Sequence, residues 1–255
     1  MITASRHSHQ QALSADNSAI TQLLTLLVDN IKGIVGGQAY VTYRQMEGLI
    51  AIYNTLPIEI PLPQMREWPV SPDFAMLFLT EILLRKPGII LETGSGVSTL
   101  IAGYAAKKNG HGKVIALEHH PVFYKKTSDL VRAHKLDNYV DLYFTPLIEH
   151  RSGDERHVWY DVSKVNFSGK IGVFIVDGPP GETSAHTRYP VLPLFAGKAA
   201  ENAVLFLDDA AREEEVKITQ RWLREFPLFK IQEGYFCEKG VVVLEKHEHS
   251  GNNPS

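Results

Sequence analysis

The chain has 255 residues, 44% of them hydrophobic and 22% charged, with a formal net charge of −3. That is an ordinary globular composition, long enough to bury a full core, and it suits one α/β domain with an added segment better than two domains. A pI near 6.4 gives no basic footprint for nucleic acid, and the single cysteine, Cys237, excludes an internal disulfide or a cysteine-rich metal site. No apolar run approaches a membrane span and no leader pattern opens the chain, so a cytoplasmic protein with no membrane partner is expected.

Residues 1–17 are polar and aperiodic and are expected to form a disordered or frayed tail. Ile20, Leu23, Leu24, Leu27 and Ile31 then recur at helical spacing, and a second amphipathic helix is expected from Val41 to Asn54. These helices are candidates for a cap over a site or for a homodimer interface. Prolines 57, 61, 63 and 69 make an extended connector, so residues 18–70 read as a helical extension with a Pro-rich link. In the next helix, running to about Leu84, Ser71 is the expected N-cap and Pro72 the first helical residue. Trp68 just before it reads as packing.

Gly88 to Leu100 reads strand, tight turn, helix: the apolar run Ile89-Ile90-Leu91 ends in Glu92, and Gly94 and Gly96 follow. Lacking a Cβ, Gly94 and Gly96 allow positive φ and close approach of a ligand, while Ser98 or Thr99 can meet free N–H groups of the next helix. In parallel α/β sheets, ligands bind just beyond such strand ends. A dinucleotide site wants Gly-x-Gly-x-x-Gly with no nearby negative charge. Here Thr99 replaces the third glycine, and Glu92 would repel a pyrophosphate while suiting an ammonium or sulfonium, both of which S-adenosylmethionine carries. At these residues the chain resembles class I S-adenosylmethionine-dependent methyltransferases.

The helix after the turn is expected to stop at Asn109-Gly110. Lys113 to Glu118 is the second strand, and Glu118, 26 residues beyond Glu92, would end beside it. Carboxylates at this place in adenosine-binding folds accept both ribose hydroxyls. His119 follows as a candidate adenine–ribose contact. Beyond a helix from Pro121 and a strand from Tyr139 to Thr145, residues 148–170 are a polar connection that could carry a short helix.

Ile171 to Asp177 reads as a buried strand ending in an acid, followed by Gly178-Pro179-Pro180-Gly181 and, further on, Arg188-Tyr189-Pro190. A helix through Leu192, Phe195 and Ala199 is expected, then a strand from Ala203 that ends in Asp208-Asp209. Arg212-Glu213-Glu214-Glu215 reads as a solvated helix start. Phe229–Ile231 and Val241–Leu244 read as a closing antiparallel pair, and 246–255 as a mobile tail.

The expected architecture is a Rossmann-like, doubly wound, seven-stranded sheet, mostly parallel with one antiparallel strand, preceded by N-terminal helices. The domain proper would span 71–245. The resemblance, over about 70–245, implies a methyltransferase acting on a small molecule. It implies a cofactor site built from Glu92, Gly94, Ser95, Gly96, Ser98, Glu118 and His119. Asp177, Asp208 and Asp209 are candidate catalytic residues, because carboxylates at buried strand ends need a cation or donors. Their pattern resembles metal-dependent O-methyltransferases of the catechol and caffeoyl-CoA type, making the three candidate ligands for Mg²⁺ or another divalent cation. Two departures stand out: Asp209 where those enzymes usually have Asn, and Gly178-Pro179-Pro180 where they place a basic residue. That leaves Asp209, His186 or the metal-bound form to remove the proton. The rival assignment keeps Asp177 as a methionine-moiety or substrate contact, with Arg188 offsetting one of the acids. Trp68, Arg188 and Tyr189 are candidate substrate contacts. Aminopropyl transfer, NAD(P)-dependent oxidoreduction and a non-catalytic binding module are the alternatives on such a scaffold.

Overall fold

The structure, a computed structural model, describes residues 2–65, 68–152 and 155–248, with side chains from Thr25 onward except Ile31. The expected tail at 246–255 lies mostly outside the described residues. The chain divides into two compact units, 1–45 and 46–255. The first belongs to a single helix, α1 (Ile2–Thr55), where a polar tail and two helices are expected. Gly33, Gly36 and Gly37 each cost a helix about 1 kcal/mol, but no proline occurs before Pro57, so nothing blocks the helical path. Leu26, Leu27, Ile34, Val35, Tyr40 and Tyr43 are exposed along it.

The second unit begins with the last turns of α1, of which Ile52 is fully buried. Its elements are α2 (Pro72–Arg85), β1 (Ile89–Thr93), α3 (Val97–Asn109), β2 (Lys113–Glu118), α4 (Pro121–Ala133) and β3 (Val140–Phe144). Then come β4 (Leu147–Ser152), β5 (Glu155–Tyr160), β6 (Ile171–Val176), α5 (Val191–Phe195), β7 (Ala199–Asp208), α6 (Glu213–Glu225), β8 (Phe229–Ile231) and β9 (Val241–Lys246). Seven strands form one sheet in the order β3-β2-β1-β6-β7-β9-β8. All pair parallel except β9, which runs antiparallel to both neighbours.

Both faces of the sheet are covered, which is why its central strands read as unbroken apolar runs. Side chains alternate between faces. Ile90, Ala116, Ile175 and Phe206 join one core with Phe74 and Phe78 of α2 and Leu100 of α3. Leu91, Leu117, Phe174 and Leu205 join the other, with Trp159, Leu192 and Trp222.

Two expectations are corrected. The polar connection after β3 carries the β4–β5 hairpin instead of a helix; Val158, Trp159 and Tyr160 favour a strand, and the two aromatic side chains are wholly buried. The helix expected through Ala199 stops at Phe195. A 3₁₀ turn at Ala196–Lys198, containing Gly197, leads into β7, which starts at Ala199 and is longer than expected.

Candidate active site

The parallel register brings the tips of β1, β2 and β6 side by side. Gly94 N–H donates to Leu117 O at 3.0 Å and Asp177 N–H to Thr93 O at 3.1 Å, so the glycine turn lies between Glu118 and Asp177. Gly94 has φ of +91°, and a Cβ there would stand 3.3 Å from Asp177 O, so glycine is needed for both conformation and space. Gly96 is different. Nothing lies within 4 Å of where its Cβ would be, which leaves the backbone open to a ligand.

A cleft of about 600 Å³ opens over this edge. Gly94, Ser95, Gly96, Ser98, Glu118 and His119 line it, as do Tyr160, Asp177, Arg188 and Asp209. Six of the seven expected cofactor residues are thereby brought together. The seventh, Glu92, is 1% exposed and sits behind the turn, off the cleft wall. Its Oε2 accepts the Thr99 hydroxyl at 2.6 Å, and its Oε1 has no hydrogen-bond partner among the described residues. Burial lifts its carboxyl to about 7, against the hydrogen bonds from Ser98 and Thr99.

Glu118 is held from three sides. Its Oε2 accepts the Ser95 hydroxyl at 2.9 Å, its Oε1 accepts His120 N–H at 2.8 Å, and His119 Nδ1 lies 3.3 Å from Oε1. Burial alone would raise its carboxyl, but these contacts outweigh burial and hold it below the usual range. An ionised, preset carboxylate with lone pairs to spare results.

The three candidate catalytic acids also converge, with ligand atoms within 4.8 Å of one another. Asp177 and Asp209 face the cleft, while Asp208 is fully buried behind them. Among them sits Arg188, 2% exposed. Its Nη2 donates to Asp177 Oδ1 at 3.2 Å and Asp209 Oδ2 at 3.0 Å, and its Nη1 to Asp208 O at 2.7 Å. Glu215 Oε1 lies 3.6 Å from Nη1. Burial and the neighbouring Asp208 push the Asp177 carboxyl well above the ordinary range despite Arg188. Asp208, whose Oδ1 accepts Asp209 N–H at 2.9 Å, is lifted to about 6 by burial and by Asp209. Asp209 adopts φ of +55°, an uncommon conformation for a residue with a side chain.

Other assignments move. Tyr189 is core and not a substrate contact: it is buried, its hydroxyl donates to Glu225 Oε2 at 2.5 Å, and Arg221 stacks on its ring. His186 lies off the cleft wall, its N–H donating to Glu214 Oε2 at 3.1 Å. Trp68 is not filler but is 74% exposed on the cleft rim. Glu215, taken as solvated, is buried on Arg188, because the first turn of α6 points one of its acids inward.

Tyr160 was not legible as a site residue. It ends β5, and its buried hydroxyl has no partner among the described residues while packing against Gly178. Only recognition of the hairpin would have brought it to the cleft.

Residues 91–210 match the model of a methyltransferase domain. No curated protein matches the chain. Among solved structures, the fold is similar to the S-adenosylhomocysteine-bound Podospora anserina methyltransferase PaMTH1, at 15% identity and TM-score 0.58, covering 85% of this chain and 96% of that one. It is also similar to an O-methyltransferase from Bacillus cereus in complex with S-adenosylhomocysteine, at 14% identity and TM-score 0.52, covering 80% and 91%. A third is TomG, the Streptomyces achromogenes O-methyltransferase of tomaymycin synthesis bound to S-adenosylmethionine, at 12% identity and TM-score 0.50, covering 80% and 90%. Gly94, Ser95, Gly96, Ser98, Glu118, Tyr160, Asp177, Arg188 and Asp209 of the cleft all fall within the residues that match the methyltransferase-domain model, and the fold around them is that of the methyltransferase structures it resembles.

Proposed function

We propose that the protein transfers the methyl group of S-adenosylmethionine to a hydroxyl of a small molecule. The observation that carries this is the placement of Glu118 and Asp177 on either side of Gly94. With the ribose hydroxyls on Glu118, the sulfonium end of the cofactor would lie across the glycine turn toward Asp177, while Glu92, buried behind the turn, braces it. The acceptor oxygen forms its bond to the methyl carbon as the carbon–sulfur bond breaks. The bonding pair stays on sulfur to give S-adenosylhomocysteine, and the hydroxyl proton passes to Asp177. Asp177 lines the cleft next to the glycine turn, within reach of an acceptor bound there, which supports that role. Trp68 and Phe123 on the rim offer apolar area to the acceptor.

A second reading places a divalent cation among Asp177, Asp208 and Asp209, whose mutual distances favour it. Such an ion would acidify the acceptor hydroxyl. Against it, Arg188 already holds an oxygen of Asp177 and one of Asp209. The exposed apolar side chains of α1 support a homodimer formed through the N-terminal helices.

The test is transfer from methyl-labelled S-adenosylmethionine to a panel of phenols, catechols and sugars. One acceptor class is expected to be labelled. Asp177→Asn is expected to slow turnover about 10²- to 10⁴-fold while S-adenosylhomocysteine still binds. Parental turnover in Asp177→Asn would remove the proton-acceptor role.

A further inference from the structure

We infer that Arg188 is the resident cation of this site, its guanidinium standing where a divalent metal would stand among the strand-tip acids, so that transfer needs no metal ion. This rests on the hydroxyl-transfer reading above and specifies how its acids are balanced.

The donor set is the first argument. Asp177 Oδ1 and Asp209 Oδ2 both accept from Arg188 Nη2, and Asp209 Oδ2 is also ion-paired with Arg212, 3.1 Å from its Nη1. Asp208 Oδ1 is taken by Asp209 N–H. A hard divalent cation needs several oxygens converging on one point. Here one oxygen of each acid is turned to another partner.

Charge is the second argument. Asp177, Asp208, Asp209 and Glu215 form the negative side, and Arg188 touches all four residues, through the main-chain oxygen in the case of Asp208. Arg212 and Lys239 line the same cleft. A dication entering beside a buried guanidinium would meet repulsion that water screens poorly there. Removing the guanidinium would take away the cation shared by Asp177 and Asp209 and leave Arg212 paired with Asp209, an arrangement closer to the one that attracts a metal.

Position is the third. Arg188 comes from the loop between β6 and α5 and is fixed from β7 by Asp208 O and from α6 by Glu215. Its task is to position Asp177 and Asp209, which line the cleft; it is a positioning residue.

The test is a Mn²⁺ titration followed by electron paramagnetic resonance, on EDTA-treated, desalted protein, with S-adenosylhomocysteine calorimetry run beside it. The parent is expected to leave the free-Mn²⁺ signal undiminished up to roughly millimolar metal. Arg188→Gln is expected to bind one Mn²⁺ at least tenfold more tightly, and Asp208→Asn in that background to lose it. A structural role alone would not produce this gain. A parent that binds one Mn²⁺ at micromolar affinity, weakened by Asp208→Asn, overturns the inference, as does a folded Arg188→Gln that gains none. Should Arg188→Gln not fold, parent and Asp208→Asn are compared. Equal signals support the inference, and a smaller free-metal signal in the parent overturns it. Failure of S-adenosylhomocysteine to bind the parent would instead strike the methyl-transfer reading, whatever the metal result.

Discussion

Thr99 donates its hydroxyl to Glu92 Oε2 at 2.6 Å and accepts Gly96 N–H at 3.0 Å, so one side chain ties the acid at the tip of β1 to the turn and to α3. Thr99 stands where a dinucleotide site has its third glycine, and the bond it makes explains why glycine would not serve here.

Burial sets the pH behaviour of Glu92. Its carboxyl lies at about 7 in the fold against an ordinary 4.5. Between those values the folded state holds more protons than the unfolded one, so this group's contribution to stability falls as pH rises. Above 7 the full cost is present, on the order of 3 kcal/mol. Glu92→Gln is therefore expected to melt higher than the parent at pH 8, with the gap closing toward pH 4.5. Thermal denaturation of both ligand-free proteins across that range checks it; a gap independent of pH contradicts it.

Gly178 and Tyr160 are matched by contact. A Cβ on Gly178 would stand 2.4 Å from the Tyr160 hydroxyl and 3.0 Å from Gly94 N. Gly178→Ala is expected to destabilise by about 1–3 kcal/mol and to weaken cofactor binding. Tyr160→Phe, which removes a hydroxyl with no hydrogen-bond partner among the described residues, is expected to change stability little. Denaturant unfolding of the two single variants and the double should show that Tyr160→Phe recovers part of the Gly178→Ala loss. Strict additivity would mean the hydroxyl does not limit that space.

Two glutamates in one helical turn should behave oppositely. Glu213 is exposed and pairs with Lys217 at 2.9 Å, whereas Glu215 is buried against Arg188. Glu213→Gln is expected to change stability by under about 0.5 kcal/mol. Glu215→Gln is expected to cost about 1–3 kcal/mol, measured by urea unfolding. Equal effects would deny Glu215 its part in the Arg188 cluster.

The sheet was legible because its central strands carry the signature of two-sided burial, and because Glu92, Glu118, Asp177 and Asp208 each mark a strand tip. Spacing then put the glycine turn beside Glu118. What stayed hidden depends on contacts between distant segments. Arg188 was legible as a cation to offset one of the acids, but not as the one shared by Asp177 and Asp209, and nothing local to Glu215 separates it from Glu213. Polar residues at 148–157 masked the hairpin that carries Tyr160 inward. The separate apolar stretches at 20–31 and 41–54 suggested two helices where α1 runs on as one.

The central claim is that Glu118 holds the ribose of an adenosine cofactor beside the glycine turn. Calorimetry with S-adenosylhomocysteine, NAD⁺ and NADP⁺ on the parent and Glu118→Ala tests it most directly. The account predicts binding of S-adenosylhomocysteine alone, near micromolar or about −8 kcal/mol, largely lost in Glu118→Ala. Equal affinity in the variant, or heat with a dinucleotide instead, would contradict it.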